Sequence, residues 1–260
     1  VRAFIAMRYW HPFTRETVEA VKAYGPDEVL LLPLYPQFST TTSQSSIEVW
    51  EKEARNSGLD VPTQLICCYP TLPGFVKAHT ELIRKKMEES DVDITNARVL
   101  FSAHGLPRKI VDGGDPYQVQ VEATTKAIVD QLAIPGLDWR VTYQSRVGPL
   151  EWIGPDTETE IAAAAREGKA IAVIPVAFVS EHSETLVELD IEYREIAEKE
   201  GAAAYVRVPA LGCHPDFIGA LRDAALHCLR GERLERFECP ADRICFRTRA
   251  CMKAASNKAA

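Results

Sequence analysis

The sequence lacks both an excess of basic residues and a long apolar run. Its 260 residues include 30 Lys and Arg against 37 Asp and Glu, which gives a net charge of −7. Because nucleic-acid binding requires a basic surface, this balance argues against nucleic acid as the main partner. No apolar stretch approaches the roughly 18 residues of a membrane-spanning helix, and the first residues show no signal-peptide pattern. We therefore expect a cytoplasmic protein whose only membrane contact would be peripheral, on the inner membrane.

Cysteine is present in an odd number, seven, and no export signal accompanies it. Both features argue against a framework of disulfide bonds. Three of the cysteines, Cys239, Cys245 and Cys251, stand at intervals of six residues near the end of the chain. We call them the tail cysteines, and we interpret them as ligands of a metal ion or cluster.

Methionine is absent from the first position, and residues 1–7 have the apolar character of a buried strand. Natural chains rarely begin inside a core element. We therefore expect the natural protein to have further residues before Val1.

Apolar, β-rich segments alternate with amphipathic segments along most of the chain. Some apolar segments are unbroken, such as VLLLPL and IAVIPV, which is typical of strands covered on both faces of a parallel sheet. The predicted strands are residues 1–7, 28–34, 63–68, 98–103, 139–144, 170–175 and 204–208. The predicted helices are residues 14–24, 41–57, 74–88, 115–132, 157–167, 183–200 and 215–229. Their alternation predicts an α/β fold of parallel sheets flanked by helices.

A polar stretch at residues 90–96 divides this pattern into two parts. We interpret residues 1–96 as a first α/β lobe that lacks its opening units, and residues 97–230 as a second, similar lobe. Residues 231–260 combine charges, a proline and three cysteines with little periodicity. They are predicted to form a cysteine-containing extension.

A histidine follows one predicted strand directly. His104 comes after the segment RVLFSA, at the carboxyl edge where open α/β sheets bind their ligands. A neutral imidazole there can accept a proton or ligate a metal ion. A histidine that only hydrogen-bonds its own loop fits the same pattern.

An acidic row follows another strand end. Glu184, Glu188 and Glu192 are spaced by four residues, so they share one face of a predicted helix that begins beside His182. The row fits a solvent-exposed acidic face. It also fits a path of carboxylates that passes a divalent cation inward or protons outward.

Aromatic and cationic residues are concentrated at the same predicted edge. They are Tyr9, Trp10, Tyr143, Trp152 and Phe178, with Arg8 and Arg146. Together with the hydroxyl-rich residues 39–46, they suggest a pocket with apolar walls and anion-binding groups. A porphyrin would fit such a pocket, and so would other amphipathic acids.

Six longer segments carry a resemblance to a known family. They are MRYWHP, LLPLYPQFSTTTSQSS, LFSAHGLP, GDPYQVQVEATT, YQSRVGPLEWIGP and AFVSEHSETLVELDIEY. In order and spacing they resemble segments of the ferrochelatases. The resemblance implies two similar Rossmann-like lobes around a porphyrin cleft. It also implies an enzyme that takes Fe²⁺ and protoporphyrin IX as substrates and releases haem.

The resemblance further implies roles for individual residues. His104 and Glu184 match residues assigned to metal delivery, to deprotonation of the pyrroles, or to both. Glu188 and Glu192 match further metal-binding carboxylates on a π-distorted helix, a distortion often found at functional sites. The positions that match the substrate-binding cleft are Arg8, Tyr9, Tyr35, Ser39, Trp152 and His182.

Some ferrochelatases bind a [2Fe-2S] cluster through cysteines of a C-terminal extension, and the tail cysteines resemble three of those ligands. Their spacing differs from that of the animal enzymes. The segment YPQFSTTT, which supplies the fourth cysteine in animals, has Thr40 and no cysteine here. The candidate fourth ligand is Cys213, with Cys228 as the alternative, because both flank the last predicted helix. Four thiolates hold Zn²⁺ as readily, so zinc stays an alternative.

Several alternatives stay open at this point. A related chelatase that inserts Co²⁺ or Ni²⁺ would share the fold and the histidine, and coproporphyrin is an alternative substrate. A non-catalytic haem-binding protein would not need both His104 and Glu184. Dimers occur in the family, so a homodimer is a further expectation.

Overall fold

The computed structural model describes residues 1–232, and within them the strands form two parallel sheets. In chain order the strands are β1 (Val29–Leu31), β2 (Thr63–Leu65), β3 (Ala97–His104), β4 (Asp138–Gln144), β5 (Ala170–Pro175) and β6 (Ala204–Arg207). β1 pairs with β2, and the other strands form a sheet of order β4-β3-β5-β6. This arrangement confirms the predicted α/β fold with parallel sheets.

Helices connect and cover these strands. The α-helices are α1 (Thr14–Tyr24), α2 (Ser45–Ser57), α3 (Pro73–Glu89), α4 (Arg108–Asp112), α5 (Tyr117–Leu132), α6 (Thr157–Arg166), α7 (Tyr193–Lys199) and α8 (Pro215–Leu229). Two π-helical segments, Thr40–Gln44 and Glu184–Glu192, lead into α2 and α7, and a 3-10 turn, Ile94–Asn96, precedes β3. Among the described residues, no helix has both the length and the apolar character needed to cross a membrane.

β3 lies in the interior of the larger sheet and is buried on both faces. Val99 and Phe101 belong to a core that also contains residues of α3, α5 and α8. Leu100 points to the other face, into a smaller core with residues of α6 and α7. Because successive side chains of a strand point to opposite faces, both cores require apolar residues from β3, which explains its apolar run at residues 99–101.

α3 connects the two predicted lobes. It belongs to the range assigned to the first lobe, yet it packs against α5 and α8. Gly74 permits the close approach to α8, since a Cβ atom at this position would lie 2.6 Å from the backbone oxygen of Asp216. The lobe boundary at residue 96 stays a prediction, with α3 as the helix that joins the two parts.

The predicted strand at residues 1–7 is wrong. The segment makes a single isolated bridge, from Met7 to Phe13, and the side chains of Val1 and Ile5 are exposed. A strand requires a neighbouring strand for its backbone hydrogen bonds, and in the described part of the chain the small sheet consists of β1 and β2 alone. Apolar composition therefore predicted a strand for which the structure provides no partner.

His79 of α3 generates a prediction about acid stability. It is fully buried, and neither ring nitrogen has a hydrogen-bond partner among the described residues. Burial is the main cause that lowers the pKa of His79 to about 3, and repulsion from His214 is the smaller cause. In the unfolded chain this histidine binds a proton near pH 6.5, so acid favours unfolding: the stability present above about pH 6.5 is lost as the pH falls towards 3.

We predict that the free energy of urea unfolding falls below pH 6.5, with His79 contributing up to about 1.4 kcal/mol per pH unit. His79→Leu should remove this part of the slope, whereas the exposed His182→Leu should leave it unchanged. Equal slopes in the His79 variant and the natural sequence would contradict this account.

Candidate functional site

The register of the larger sheet brings the first site residues together. In the pairing of β3 with β4, His104 lies opposite Gln144. In the pairing of β3 with β5, Ser102 lies opposite Pro175, and the chain that leaves β5 reaches the π-helix at Glu184. The carboxyl ends of parallel strands share one edge, so the histidine and the start of the acidic helix meet there.

His104 and Glu184 face each other across a short gap. The Nε2 atom of His104 and the Oε2 atom of Glu184 are 3.8 Å apart. The Nδ1 atom of His104 lies 2.7 Å from the carbonyl oxygen of Gly105. Because a carbonyl oxygen only accepts hydrogen bonds, Nδ1 carries a proton, and in the neutral imidazole Nε2 directs its lone pair towards Glu184.

The Glu184 carboxylate has an open coordination position. Its Oε2 atom is shielded from solvent and has no hydrogen-bond partner among the described residues. A cation about 2.1 Å from each ligand atom would fit between this oxygen and Nε2 of His104. The pair can therefore bind a metal ion or accept a proton.

Glu188 is held tightly, in contrast to Glu184. Its Oε1 atom accepts hydrogen bonds from the Ser145 backbone N–H (2.7 Å) and the Tyr193 hydroxyl (2.8 Å). Its Oε2 atom accepts from Nε2 of Gln144 (2.8 Å) and from the Ser145 hydroxyl (2.5 Å). Ser145 has a left-handed backbone (φ 57°), which costs a non-glycine residue roughly 1–2 kcal/mol. Its two bonds to Glu188 offset that cost.

The acidic row lies on a π-helix from Glu184 to Glu192, which confirms the distortion that the resemblance implied. Glu192, at its end, is exposed. Glu158 of α6 adds a further carboxylate to the row. Burial is the main cause that raises its pKa, and the negative charges of Asp156, Glu188 and Glu192 are smaller causes. Glu158 was not predicted from the sequence. The acidic run DTETE, residues 156–160, was the only feature of the sequence that indicated a carboxylate at this place.

The N-terminal part of the chain supplies aromatic side chains to the same region. Burial is the main cause that raises the pKa of Tyr35, and the neighbouring Tyr9 and Glu184 are smaller causes. The Arg8 guanidinium lies 4.9 Å from the centre of the Tyr9 ring, and its Nε donates to the Ser45 hydroxyl (3.1 Å). The structure thus brings Tyr35 near Glu184 and Tyr9 near Tyr35, with the Arg8 guanidinium beside Tyr9.

Trp152 covers the end of β3. A backbone bridge joins it to Pro107, and a Cβ atom on Gly105 would lie 3.3 Å from the Trp152 ring and 3.0 Å from the Gln144 carbonyl oxygen. Glycine at position 105 therefore lets the indole lie over the strand end. The indole N–H is buried and has no partner among the described residues.

Ser39 and His182 are engaged by neighbouring groups. The buried Ser39 hydroxyl donates to Oδ2 of Asp115 at 2.9 Å. The exposed His182 ring packs edge-on against Phe178, with ring centres 4.8 Å apart, and the His182 backbone caps the π-helix through Thr185. Their contact with a porphyrin stays a prediction.

A separate group of metal-ligand side chains lies between α3 and α8. One ligand atom from each of Glu81, His214 and Asp216 lies within 4.8 Å of the others. The Lys77 ammonium is 2.9 Å from Asp216 and 3.5 Å from Glu81, so a side-chain cation already balances one of the two carboxylate charges of this cluster.

Of the two candidate fourth cysteines, Cys213 precedes α8 and Cys228 lies in its last turn. Cys213 is exposed, whereas Cys228 is partly buried, with its sulfur 3.2 Å from Oε1 of Gln64. A helix of 15 residues is about 22 Å long, so the two thiols cannot ligate the same cluster. The tail cysteines, Cys239, Cys245 and Cys251, lie outside the described residues.

Comparison with known proteins gave consistent matches. Residues 1–228 match the family model described as Ferrochelatase. Curated ferrochelatases of Caulobacter vibrioides (strain NA1000 / CB15N) and Phenylobacterium zucineum are 55% identical over 223 residues and 51% identical over 228 residues. These alignments cover 86% and 88% of this chain but 63% and 65% of the relatives. The chain thus spans less than two thirds of their length.

Solved structures with low sequence identity share the fold. A structure described as SirB from Bacillus subtilis with Fe³⁺ has a TM-score of 0.57 at 15% identity and covers 84% of this chain and 78% of that chain. The sirohydrochlorin chelatase SirB from Bacillus subtilis subspecies spizizenii, in complex with cobalt, has a TM-score of 0.58 at 12% identity. It covers 86% of this chain and 79% of that chain.

The hydrogen bonds of Glu188 generate a prediction about the π-helix. Glu188→Gln replaces one carboxylate oxygen by an N–H donor that would face donors from Gln144, Ser145 or Tyr193. The expected cost is about 1.5–3 kcal/mol in unfolding free energy, together with faster amide exchange at residues 184–192. Glu192→Gln, on the exposed end of the same helix, is the matched control and should change stability by less than about 0.5 kcal/mol. Equal exchange rates in the two variants would refute the anchoring role of Glu188.

Proposed function

The chain belongs to the ferrochelatase family, and we propose on that basis that the protein inserts Fe²⁺ into protoporphyrin IX to form haem. The single observation that carries the proposal is the pair of His104 and Glu184. A histidine lone pair and an unpartnered carboxylate oxygen stand 3.8 Å apart at the carboxyl edge of the sheet. This arrangement suits a cation that must be held and then released.

We assign both catalytic roles to this pair. Imidazole and carboxylate are ordinary ligands of divalent iron, so His104 and Glu184 replace water on the incoming Fe²⁺. Both groups also accept protons. As the metal enters, the porphyrin loses two N–H protons, and the same two side chains are placed to receive them.

The acidic row is proposed to deliver the metal. Glu192 is exposed at the outer end of the row, where it can meet a hydrated cation. Glu188, fixed by four donors, contributes negative charge from a constant position, and Glu158 adds to it. Such a field raises the local concentration of cations. Glu184 then completes the path at His104.

The porphyrin is proposed to lie against the aromatic side chains. Tyr9, Tyr35 and Trp152 offer flat apolar surface, and Arg8 offers a cation to a carboxylate of the substrate. The buried indole N–H of Trp152 has no partner in the described part of the chain. Ser39 and His182 complete the proposed contacts.

Peripheral membrane contact and a homodimer are finer parts of this proposal. Large apolar side chains are exposed, among them Trp10 (70%), Val147 (70%) and Leu150 (59%). Such groups lose their contact with water when they meet either a membrane interface or a second chain. The hydrophobic substrate and product, protoporphyrin IX and haem, also favour a position beside the inner membrane.

The central prediction concerns His104→Ala in the full-length protein. Loss of the ligand and proton acceptor should lower kcat for Fe²⁺ insertion by about 100-fold or more. Porphyrin affinity, measured by fluorescence quenching, should change by less than about threefold, because the proposed apolar contacts with the macrocycle come from Tyr9, Tyr35 and Trp152. His227→Ala, an exposed histidine on α8, serves as control and should keep normal turnover.

Near-normal turnover by the His104 variant would contradict the catalytic role assigned to His104.

The same insertion assay separates the alternative functions. Faster insertion of Co²⁺ or Ni²⁺ than of Fe²⁺ would indicate another chelatase, and preference for coproporphyrin would change the substrate. Tight porphyrin binding without turnover by the natural sequence would indicate a binding protein.

A [2Fe-2S] cluster held by the tail cysteines and Cys213, with Cys228 as the alternative fourth ligand, is a further part of the proposal. Four thiolates are the ordinary ligands of such a cluster. The exposed thiol of Cys213 fits this use, because it is accessible to ligands from outside the described residues. When bound, the cluster would supply a one-electron redox centre and would tie the extension to α8.

We predict that the purified full-length protein shows visible charge-transfer absorption and contains acid-labile sulfide. Cys213→Ser should abolish both signals, because the fourth thiolate is lost. Cys67→Ser, a control at the end of the small sheet, should keep them. A protein that contains zinc and no sulfide would exclude the cluster, and a loss confined to Cys228→Ser would move the fourth ligand to that residue.

A further inference from the structure

One face of β3 changes from apolar to polar as the strand approaches the site. Side chains two residues apart on a strand share a face, so Leu100, Ser102 and His104 belong to the same face. Leu100 enters the core that contains residues of α6 and α7. Ser102 follows it with a hydroxyl, and this side chain is completely buried. A buried hydroxyl requires a hydrogen-bond partner, and the partner of Ser102 leads to the site.

The Ser102 hydroxyl donates to the side-chain amide of Gln144 on the neighbouring strand β4. The two oxygens, Oγ of Ser102 and Oε1 of Gln144, are 2.8 Å apart. Gln144 is completely buried as well. Because an amide oxygen only accepts hydrogen bonds, the hydroxyl is the donor.

A second hydroxyl supports Ser102 from α6. The Thr157 hydroxyl, at the start of that helix, lies 3.1 Å from the Ser102 oxygen and donates to the Thr142 hydroxyl at 3.0 Å. All three side chains are completely buried. Hydroxyls of β3, β4 and α6 thus form one buried cluster, and the Ser102 hydroxyl connects it to Gln144.

The nitrogen of the Gln144 amide faces the acidic helix. It donates to the backbone oxygen of Glu184 (3.1 Å) and to Oε2 of Glu188 (2.8 Å), so both of its N–H donors are used. If the amide turned over, its oxygen would face these two acceptors, which would lose their donor. The Ser102 hydroxyl opposes this rotation, because it holds the amide oxygen on the opposite side.

From this geometry we propose that Ser102 is a positioning residue for the acidic helix and acts through Gln144. The hydroxyl fixes the orientation of the amide. The amide then fixes the backbone of Glu184 and the carboxylate of Glu188. His104 stands two residues after Ser102 on the same strand, so both halves of the metal-binding pair are referred to β3. Ser102 is completely buried, and the proposal gives it no contact with the metal or the porphyrin.

Loss of the Ser102 hydroxyl should change the geometry of the site more than substrate binding. Without its donor the Gln144 amide can rotate, and the start of the π-helix then moves relative to His104. An error of about 1 Å in such a constellation can lower a rate by about 100-fold. The proposal rests on the proposed function wherever iron insertion is measured, so the test includes readouts that need no turnover.

The experiment uses the full-length protein with ¹⁵N-labelled glutamine, in which Gln144→Met identifies the Gln144 amide signals. The test variants are Ser102→Ala and the double variant with Gln144→Met. The matched control is Thr80→Val, since Thr80 of α3 also has a buried hydroxyl that donates, here to the Val76 backbone oxygen (3.0 Å). Amide signals, hydrogen exchange at residues 184–188, and kcat and KM for Fe²⁺ insertion are measured for each.

Ser102→Ala should shift the Gln144 amide signals and speed hydrogen exchange at residues 184–188. It should lower kcat by about tenfold to 100-fold, with KM for porphyrin changed by less than about threefold. In the Gln144→Met background the same substitution should lower kcat by less than about a further twofold, because the partner is already lost. Thr80→Val should alter none of these readouts.

Unshifted Gln144 signals in Ser102→Ala, or an equal loss of kcat with and without the Gln144 amide, would overturn the proposal. If Ser102→Ala does not fold, the test passes to Ser102→Cys, whose thiol is a weak donor, and unshifted Gln144 signals there overturn it instead. If the natural sequence inserts no Fe²⁺, the proposed function fails, while the amide signals and the exchange rates still decide the positioning role.

Discussion

The parallel pairing of β3 with β4 places His104 opposite Gln144, and the rest of the site is built on that register. The Gln144 amide donates to the backbone oxygen of Glu184 (3.1 Å) and to the Glu188 carboxylate (2.8 Å). The sheet therefore orients the acidic helix directly. A slip of one residue would turn Gln144 to the other face, but it would also exchange the side chains that β3 packs into two different cores. The cores on both sides of the sheet thus protect the geometry of the site.

Glu184 and Glu188 lie on one helix and carry the same chemical group, but they differ in their hydrogen-bond partners. Glu188 receives four hydrogen bonds, so its oxygens are saturated and its position is constant. Glu184, one turn earlier, leaves an oxygen without a partner in the described residues, beside the lone pair of His104. Because Glu188 is restrained, the helix keeps Glu184 in place while the Glu184 oxygen stays open to a ligand.

The sequence predicted the regular elements better than it predicted the contacts between them. The bounds of α1, α8 and β5 agree to the residue, because apolar periodicity and residues such as Gly25 after α1 and Pro215 at the start of α8 define their ends. The strand at residues 1–7 failed because pairing depends on a neighbouring strand. His104 and Glu184 stood in recognisable motifs. Gln144 and Ser145 were not assigned roles, since their partner Glu188 lies far away in sequence and only the fold brings them together.

The most direct test of the central claim is to locate a bound metal ion. Crystals of the full-length protein soaked in Co²⁺, a divalent substitute for Fe²⁺, would be measured at the cobalt absorption edge. The account predicts an anomalous peak between Nε2 of His104 and the Glu184 carboxylate, at about 2.1 Å from each, which His104→Ala abolishes. A peak confined to Glu81, His214 and Asp216, with none beside His104, would contradict it.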